Sequence, residues 1–108
     1  MQQITVHELA SRHSQGGPVY LIDVRQPWEH EMAALPNSIL IPLDELAARR
    51  PEIKPPPGAL VVAYCHHGIR SLSAVAMLEH LGLPGVFSLE GGIDAWSREI
   101  DPSVPRYR

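Results

Sequence analysis

Residues 59–71 read ALVVAYCHHGIRS, an apolar run that passes directly into a short polar loop. The run from Ala59 to Tyr64 carries no charge, which is typical of a central strand covered on both faces in a parallel sheet. Beyond the loop, small and apolar residues recur at helical spacing: Ser71, Ala74, Val75, Leu78 and Leu81. Gly82 is suited to end this helix as its C-terminal cap. These residues therefore predict a strand, a loop that starts at Cys65, and a helix.

The flanking sequence repeats this alternation of strands and helices. Strands are predicted at the start of residues 4–13 and over residues 19–24, 38–41 and 86–89, and helices over the rest of residues 4–13, after Pro27, over residues 43–50 before Pro51, and from Ile93 to about Ile100. The proline-containing tail beyond them is expected on the surface. The alternation predicts an α/β fold with a mainly parallel sheet, helices on both faces, and ligands beyond the carboxyl ends of the strands. Asp23 and Cys65 both lie at that edge.

The composition indicates one globular domain over residues 1–108, with 44% hydrophobic and 19% charged residues. The formal net charge of −3 is spread without a basic run, so neither nucleic acid nor an anionic membrane is an expected partner. The longest apolar run, residues 59–65, is too short to cross a bilayer, and residues 1–5 lack the features of a signal peptide. We therefore expect a cytoplasmic location.

Cys65 is the single cysteine, so it is either a small buried hydrophobe or a reactive thiol. Its position before a helix favours a reactive thiol, because the amides and the dipole of a helix N-terminus stabilise an anion and promote thiol ionisation. Gly68 can adopt a positive φ and bring its amide to the sulfur. Arg70 offers a forked cation for an oxyanion. Ser71 is expected to cap the helix, with a hydrogen bond to the sulfur as a secondary role.

Three segments of the sequence resemble motifs of one known protein family. Cys65, Gly68 and Arg70 form the motif Cys-x-x-Gly-x-Arg, residues 21–25 read LIDVR, and residues 89–96 read LEGGIDAW. In this order they resemble the rhodanese family of sulfurtransferases, and the resemblance covers nearly the whole chain.

The resemblance implies a small α/β domain with a five-stranded parallel sheet and no cofactor. It implies that Cys65 attacks a small anionic sulfane-sulfur donor such as thiosulfate, becomes a persulfide, and passes the sulfur on. Cyanide is the usual acceptor in assays, whereas thiols or sulfur-relay proteins are the expected acceptors in the cell. The substrate is expected to lie against the loop: His66, His67, Gly68, Ile69, Arg70 and Ser71. One departure is at residues 33–38, which read AALPNS where many relatives have GHIPGA.

Two further expectations concern residues beside the loop. Three consecutive residues lack the usual spacing of zinc ligands, so Cys65, His66 and His67 are expected to bind no metal, and the histidines are expected to line the pocket mouth. Asp23 and Arg25 are expected to support the site as a structural ion pair beneath the loop.

Other functions compete with a free-standing sulfurtransferase. Phosphatases and arsenate reductases of related fold also place a cysteine in an anion cradle, but such phosphatases have their arginine one position later, where this chain has Ser71. A noncatalytic binding module is disfavoured because Cys65 is present. A sulfur carrier in thiocofactor or tRNA thiolation would have the same motif, so the sequence leaves that role open.

Overall fold

The computed structural model describes residues 2–107, in which strands and helices alternate along the chain. In chain order they are β1 (Gln3–Ile4), α1 (Val6–Ser14), β2 (Val19–Asp23), α2 (Pro27–Met32), β3 (Ile39–Leu40), a 3-10 turn (Leu43–Glu45), α3 (Leu46–Arg49), a second 3-10 turn (Arg50–Glu52), β4 (Leu60–Tyr64), α4 (Arg70–His80), β5 (Phe87–Leu89) and α5 (Gly92–Glu99). The five strands form one all-parallel sheet in the order β1-β5-β4-β2-β3. The predicted α/β fold is confirmed, and β4 is its central strand.

Helices cover both faces of the sheet, because successive side chains of a strand point to opposite sides. Val62 and Tyr64 of β4 belong to a core that includes residues of α1 and α5. Ala63 belongs to a second core that includes residues of α3 and α4, and Cys65 continues the alternation into that core. The loop after β4 therefore begins at Cys65, whose position is fixed by the packing of the central strand.

The segment after β3 differs from the prediction of one helix over residues 43–50. It consists of α3, which has only four residues, with one 3-10 turn before it and one after it. Pro51 was expected to end this segment, but it does not. It lies in the first turn of the second 3-10 helix, where its missing N–H is tolerated. The strand predicted over residues 38–41 is shorter than expected, since only Ile39 and Leu40 pair with β2.

The carboxyl ends of the central strands bring the predicted site residues to one edge. Asp23 pairs in register with Tyr64, so the segments that carry Arg25 and Cys65 leave the sheet at neighbouring points. Across residues 2–107, no helix has the length and apolar character that a membrane crossing requires. The prediction of one domain over residues 1–108 stays a prediction, and Met1 and Arg108 lie outside the described residues.

Candidate functional site

The Cys65 side chain lies at the base of a loop that folds around its sulfur. The residue is 1% exposed. Its Sγ accepts hydrogen bonds from the backbone N–H groups of Gly68 at 3.1 Å and Ser71 at 3.3 Å. Two backbone dipoles therefore point at the sulfur and favour negative charge on it. We call this arrangement of Cys65, Gly68 and Ser71 the sulfur cradle.

Gly68 has the conformation that the sequence predicted. Its φ is +95°, and a Cβ at this position would lie 3.0 Å from the nitrogen of Gly91 and 3.2 Å from the carbonyl oxygen of Leu89. A larger residue would meet both the backbone strain of the left-handed region and this close approach. Glycine is therefore needed here to turn the amide towards the sulfur.

Ser71 does not cap α4, so that prediction is wrong. The N-cap position belongs to Ile69, and α4 begins at Arg70. The Ser71 hydroxyl turns inward instead, where it lies 2.7 Å from Oγ of Ser88 and accepts a long hydrogen bond from the Cys65 thiol at 3.5 Å. Sequence reasoning missed Ser88, although a serine inside a short buried strand is a signal that its hydroxyl needs a partner.

The start of α5 holds the other side of the loop. The backbone N–H of Ile93 donates to the carbonyl of Cys65 at 2.9 Å, and that of Asp94 donates to the carbonyl of His66 at 3.1 Å. Gly92 has a φ of +62°, and a Cβ there would collide with these same two carbonyl oxygens. The glycine-rich LEGGIDAW segment thus contributes a helix N-terminus that fixes the loop from outside.

Arg70 directs both arms of its guanidinium group at one carboxylate. Nη1 donates to Oε1 of Glu29 at 2.7 Å, and Nη2 donates to Oε2 at 2.8 Å. The forked cation that the sequence predicted for a substrate oxyanion is therefore paired within the protein. Burial alone would raise the pKa of Glu29, but hydrogen bonds from Arg70, Tyr107 and the Gln26 amide lower it to about 2. Glu29 itself was not predicted as a site residue.

The predicted ion pair of Asp23 and Arg25 is present beneath the loop. Both side chains are fully buried, and two nitrogens of Arg25 donate to the two oxygens of Asp23 at 2.8 and 2.6 Å. Nδ1 of His30 lies 2.7 Å from the same carboxylate, and the Tyr64 hydroxyl donates to it at 3.1 Å. Burial would lower the pKa of Arg25, but its bonds to Asp23 and Tyr107 outweigh this and raise it.

Tyr107 reaches this network from the far end of the chain. Its ring stacks on that of His66, with centroids 3.9 Å apart and planes inclined by 9°. Its hydroxyl donates to Oε2 of Glu29 at 2.6 Å and accepts from Nη1 of Arg25 at 2.9 Å. The prediction that the tail lies on the surface is wrong at these points, because Val104 inserts into the first core and Tyr107 packs against the loop.

The two loop histidines lie near a carboxylate. Among the described residues, His66, His67 and Asp94 are the one group of three whose ligand atoms lie close enough to hold a metal. However, the oxygens of Asp94 already accept hydrogen bonds from Arg98 at 3.2 Å and from Arg106 at 2.9 Å. Burial and the neighbouring His67 lower the pKa of His66. The positive charge of the two arginines makes this group a poor receptor for a cation.

The remaining loop residue, Ile69, projects outward and is 75% exposed. The arrangement as a whole holds a single thiol at a helix N-terminus, within reach of backbone donors and beside paired arginines. Such a site suits a sulfur nucleophile that passes through anionic forms.

Comparison with known proteins gives a consistent result. A family model described as a rhodanese-like domain matches residues 5–99. A protein named sulfurtransferase from Allochromatium vinosum is 35% identical over 104 residues, which cover 96% of this chain and 95% of that protein. The crystal structure of a rhodanese-like domain protein from Staphylococcus aureus has a TM-score of 0.82 with 30% identity, and the match covers 100% of both chains.

Other similar proteins are much longer than this chain. The rhodanese-like/PpiC domain-containing protein 12 of Arabidopsis thaliana, named as chloroplastic, is 36% identical over 114 residues. The match covers 99% of this chain and 38% of that protein. The chain therefore spans well under two thirds of this longer relative.

Proposed function

The chain belongs to the rhodanese-like domain family, and on that basis we propose that it transfers sulfane sulfur through a persulfide on Cys65. The observation that supports this most directly is the sulfur cradle, in which Gly68 and Ser71 donate to Sγ at 3.1 and 3.3 Å. A thiolate and a persulfide are both anions, and donors fixed in advance at the sulfur stabilise either one. The cradle therefore suits both the resting and the loaded form of the protein.

In the first half-reaction, the Cys65 thiolate attacks the outer sulfur of a donor such as thiosulfate. A new sulfur–sulfur bond forms on Cys65, the sulfur–sulfur bond of the donor breaks, and sulfite leaves with the bonding electron pair. The thiol proton has already passed to water. Backbone amides at the start of α4 receive the anionic donor, as helix N-termini commonly do. The exposed His67 and Ile69 line the approach.

In the second half-reaction, an external nucleophile attacks the outer sulfur of the persulfide. Cyanide yields thiocyanate and a thiol yields a new persulfide, and in both cases the Cys65 thiolate is the leaving group. These 108 residues hold no second cysteine, so the acceptor thiol lies outside them. We place this reaction in the cytoplasm, where reducing conditions keep a lone thiol free.

The test is the intact mass of the wild type and of Cys65→Ser after incubation with thiosulfate, followed by addition of cyanide. Serine has nearly the size of cysteine, so the variant is a matched control for the buried position. We expect a gain of one sulfur atom on the wild type alone, removed by cyanide as thiocyanate forms. The proposal is overturned if the wild type gains no sulfur from thiosulfate, mercaptopyruvate or a cysteine desulfurase supplied with cysteine.

The choice of donor in the same experiment separates two roles of one site. Loading by thiosulfate supports a free-standing thiosulfate sulfurtransferase. Loading by the desulfurase alone supports a sulfur carrier that receives its sulfur from a protein, and it would limit the proposal to the Cys65 persulfide.

A further inference from the structure

The two arginines on the α2 side of the loop are each paired with a carboxylate of their own. Arg25 pairs with Asp23 and Arg70 pairs with Glu29, whereas Arg98 and Arg106 share Asp94 on the α5 side. Burial and the neighbouring His67 lower the pKa of His66, which disfavours its cationic form. On the α2 side, an incoming anion is therefore met by backbone amides rather than by an unpaired positive charge.

We propose that Glu29 is a specificity-determining residue that neutralises Arg70 and so lowers the advantage of doubly charged sulfur donors over singly charged ones. This inference rests on the proposed sulfur transfer through Cys65. Arg70 is the first residue of α4 and directly precedes Ser71, whose backbone N–H donates to the Cys65 sulfur at 3.3 Å. Hydrogen bonds to Glu29 raise the pKa of Arg70, although burial acts against this. A full charge on Arg70 would thus act close to the reacting sulfur.

The carboxylate of Glu29 is held firmly in place. Its side chain is 4% exposed, whereas that of Arg70 is 38% exposed. Oε1 also accepts from the backbone N–H of Gln26 at 3.1 Å, and Oε2 accepts from the Tyr107 hydroxyl at 2.6 Å. With both oxygens bonded on their other sides, the carboxylate is fixed where it meets the guanidinium group. The ion pair therefore persists when a donor approaches, and Arg70 stays neutralised.

Part of this arrangement lies outside the matched family region. The rhodanese-like match ends at residue 99, whereas the hydroxyl that fixes Glu29 belongs to Tyr107. The tail beyond α5 thus tunes the charge at the mouth of a loop that is itself typical of the family. Its contribution is positional, since Tyr107 acts through Glu29 and then through Arg70.

Two donors of similar size and different charge test the proposal. Thiosulfate is a dianion, and the methanethiosulfonate anion carries a single charge. In both cases the Cys65 thiolate takes the outer sulfur, and either sulfite or methanesulfinate leaves with the electron pair. For Glu29→Gln we expect kcat/KM to rise about tenfold with thiosulfate and about threefold with methanethiosulfonate, because an uncompensated charge acts twice as strongly on a dianion.

The gain should appear mainly in KM and should shrink as salt is added, since screening weakens the attraction between an exposed charge and an anion. Glu31→Gln is the matched control, because it removes the same charge from the same helix at an exposed position. We expect it to leave the ratio of the two donors unchanged. Glu29→Asp retains the charge and is expected to keep a ratio close to that of the wild type, which separates charge from packing.

A double variant shows whether Glu29 acts through Arg70. In an Arg70→Gln background, we expect Glu29→Gln to produce no selective gain for thiosulfate. The proposal is overturned if Glu29→Gln changes both donors equally, or if Glu31→Gln has the same effect. Failure of the proposed function has a different signature, because then the wild type would acquire sulfur on Cys65 from neither donor.

Discussion

The two sides of the Cys65 loop are built in opposite ways. On one side, the sulfur cradle uses backbone amides of Gly68 and Ser71, which come from the same short stretch of chain as the sulfur. On the other side, a network of buried side chains joins Asp23, Arg25 and Glu29 to Tyr107, more than seventy residues further along the chain. The cradle is uncharged and local, whereas the network is charged and distant in sequence. The proposed sulfur chemistry and its proposed tuning thus rest on separate parts of the structure.

The largest effect is expected from breaking the charged side at its base. In Asp23→Asn, the fully buried guanidinium group of Arg25 loses its charged partner, and a buried charge left unpaired costs about 3–5 kcal/mol. Urea unfolding measures this loss. Glu45→Gln is the contrasting control, because Glu45 and Arg49 form an exposed pair. Equal stability losses in the two variants would contradict the structural role of the Asp23–Arg25 pair.

The next largest effect is expected at Gly92, where the start of α5 holds the loop that carries the uncharged cradle. Gly92→Ala combines a left-handed φ with a collision against the Cys65 and His66 carbonyls, and we expect a loss of about 3 kcal/mol. Gly82→Ala has a φ of +88° but open space around the new methyl group, so its expected loss is about 1 kcal/mol. Thermal and urea unfolding of both variants compare them directly. If Gly82→Ala proved as costly as Gly92→Ala, strain alone would explain the effect and the contact with the loop would not matter.

A smaller effect is expected in the free energy of unfolding as the pH is lowered and Glu29 becomes protonated. The pKa of Glu29 is about 2 in the folded protein and 4.5 as an ordinary value, so the folded state favours its ionised form. The resulting stability is fully present above about pH 4.5 and is lost as the pH falls towards 2. Between pH 6 and pH 3 we expect the wild type to lose about 2 kcal/mol more than Glu29→Gln, measured by urea unfolding.

The same titration has a built-in check. Glu31→Gln removes an exposed carboxylate from the same helix and should follow the wild type over this pH range. Parallel curves for the wild type and Glu29→Gln would contradict the pairing of Glu29 with Arg70 and Tyr107.

Much of the fold and of the cradle could be predicted because their signals are local. The apolar run of β4 and the helical spacing of α4 need no information from elsewhere in the chain. A positive φ at Gly68 could be expected because glycine, which lacks a Cβ, adopts that conformation without strain. The errors also have local causes: Ser71 looks like a cap from its position near the helix start, but α4 begins one residue earlier and turns the hydroxyl towards Ser88.

The network could not be predicted because nothing in the sequence indicates which distant side chains meet. Glu29 reads as an ordinary acidic residue in the first turn of α2, a position favoured by the helix dipole. Tyr107 follows Pro102 and Pro105, and such a proline-containing segment predicts an exposed tail. Its place against His66 depends on Val104, which is buried in the first core and whose carbonyl accepts from the Ser97 hydroxyl at 2.5 Å. Only the folded arrangement shows that Arg70 and Tyr107 both donate to the carboxylate of Glu29.

The hydrogen bonds between α5 and the Cys65 loop limit how fast a large acceptor could reach the sulfur. Cys65 is 1% exposed, so a thiol on a folded protein can reach its sulfur only when the loop lifts. Lifting breaks the hydrogen bonds from the Ile93 and Asp94 amides to the Cys65 and His66 carbonyls, and it exposes those two amide protons to solvent. Deuterium exchange at Ile93 and Asp94 therefore reports loop opening, and under conditions where closing is slower than exchange its rate equals the opening rate. If the proposed acceptor is a macromolecule, the rate of loop opening is an upper limit on the rate of the proposed sulfur transfer.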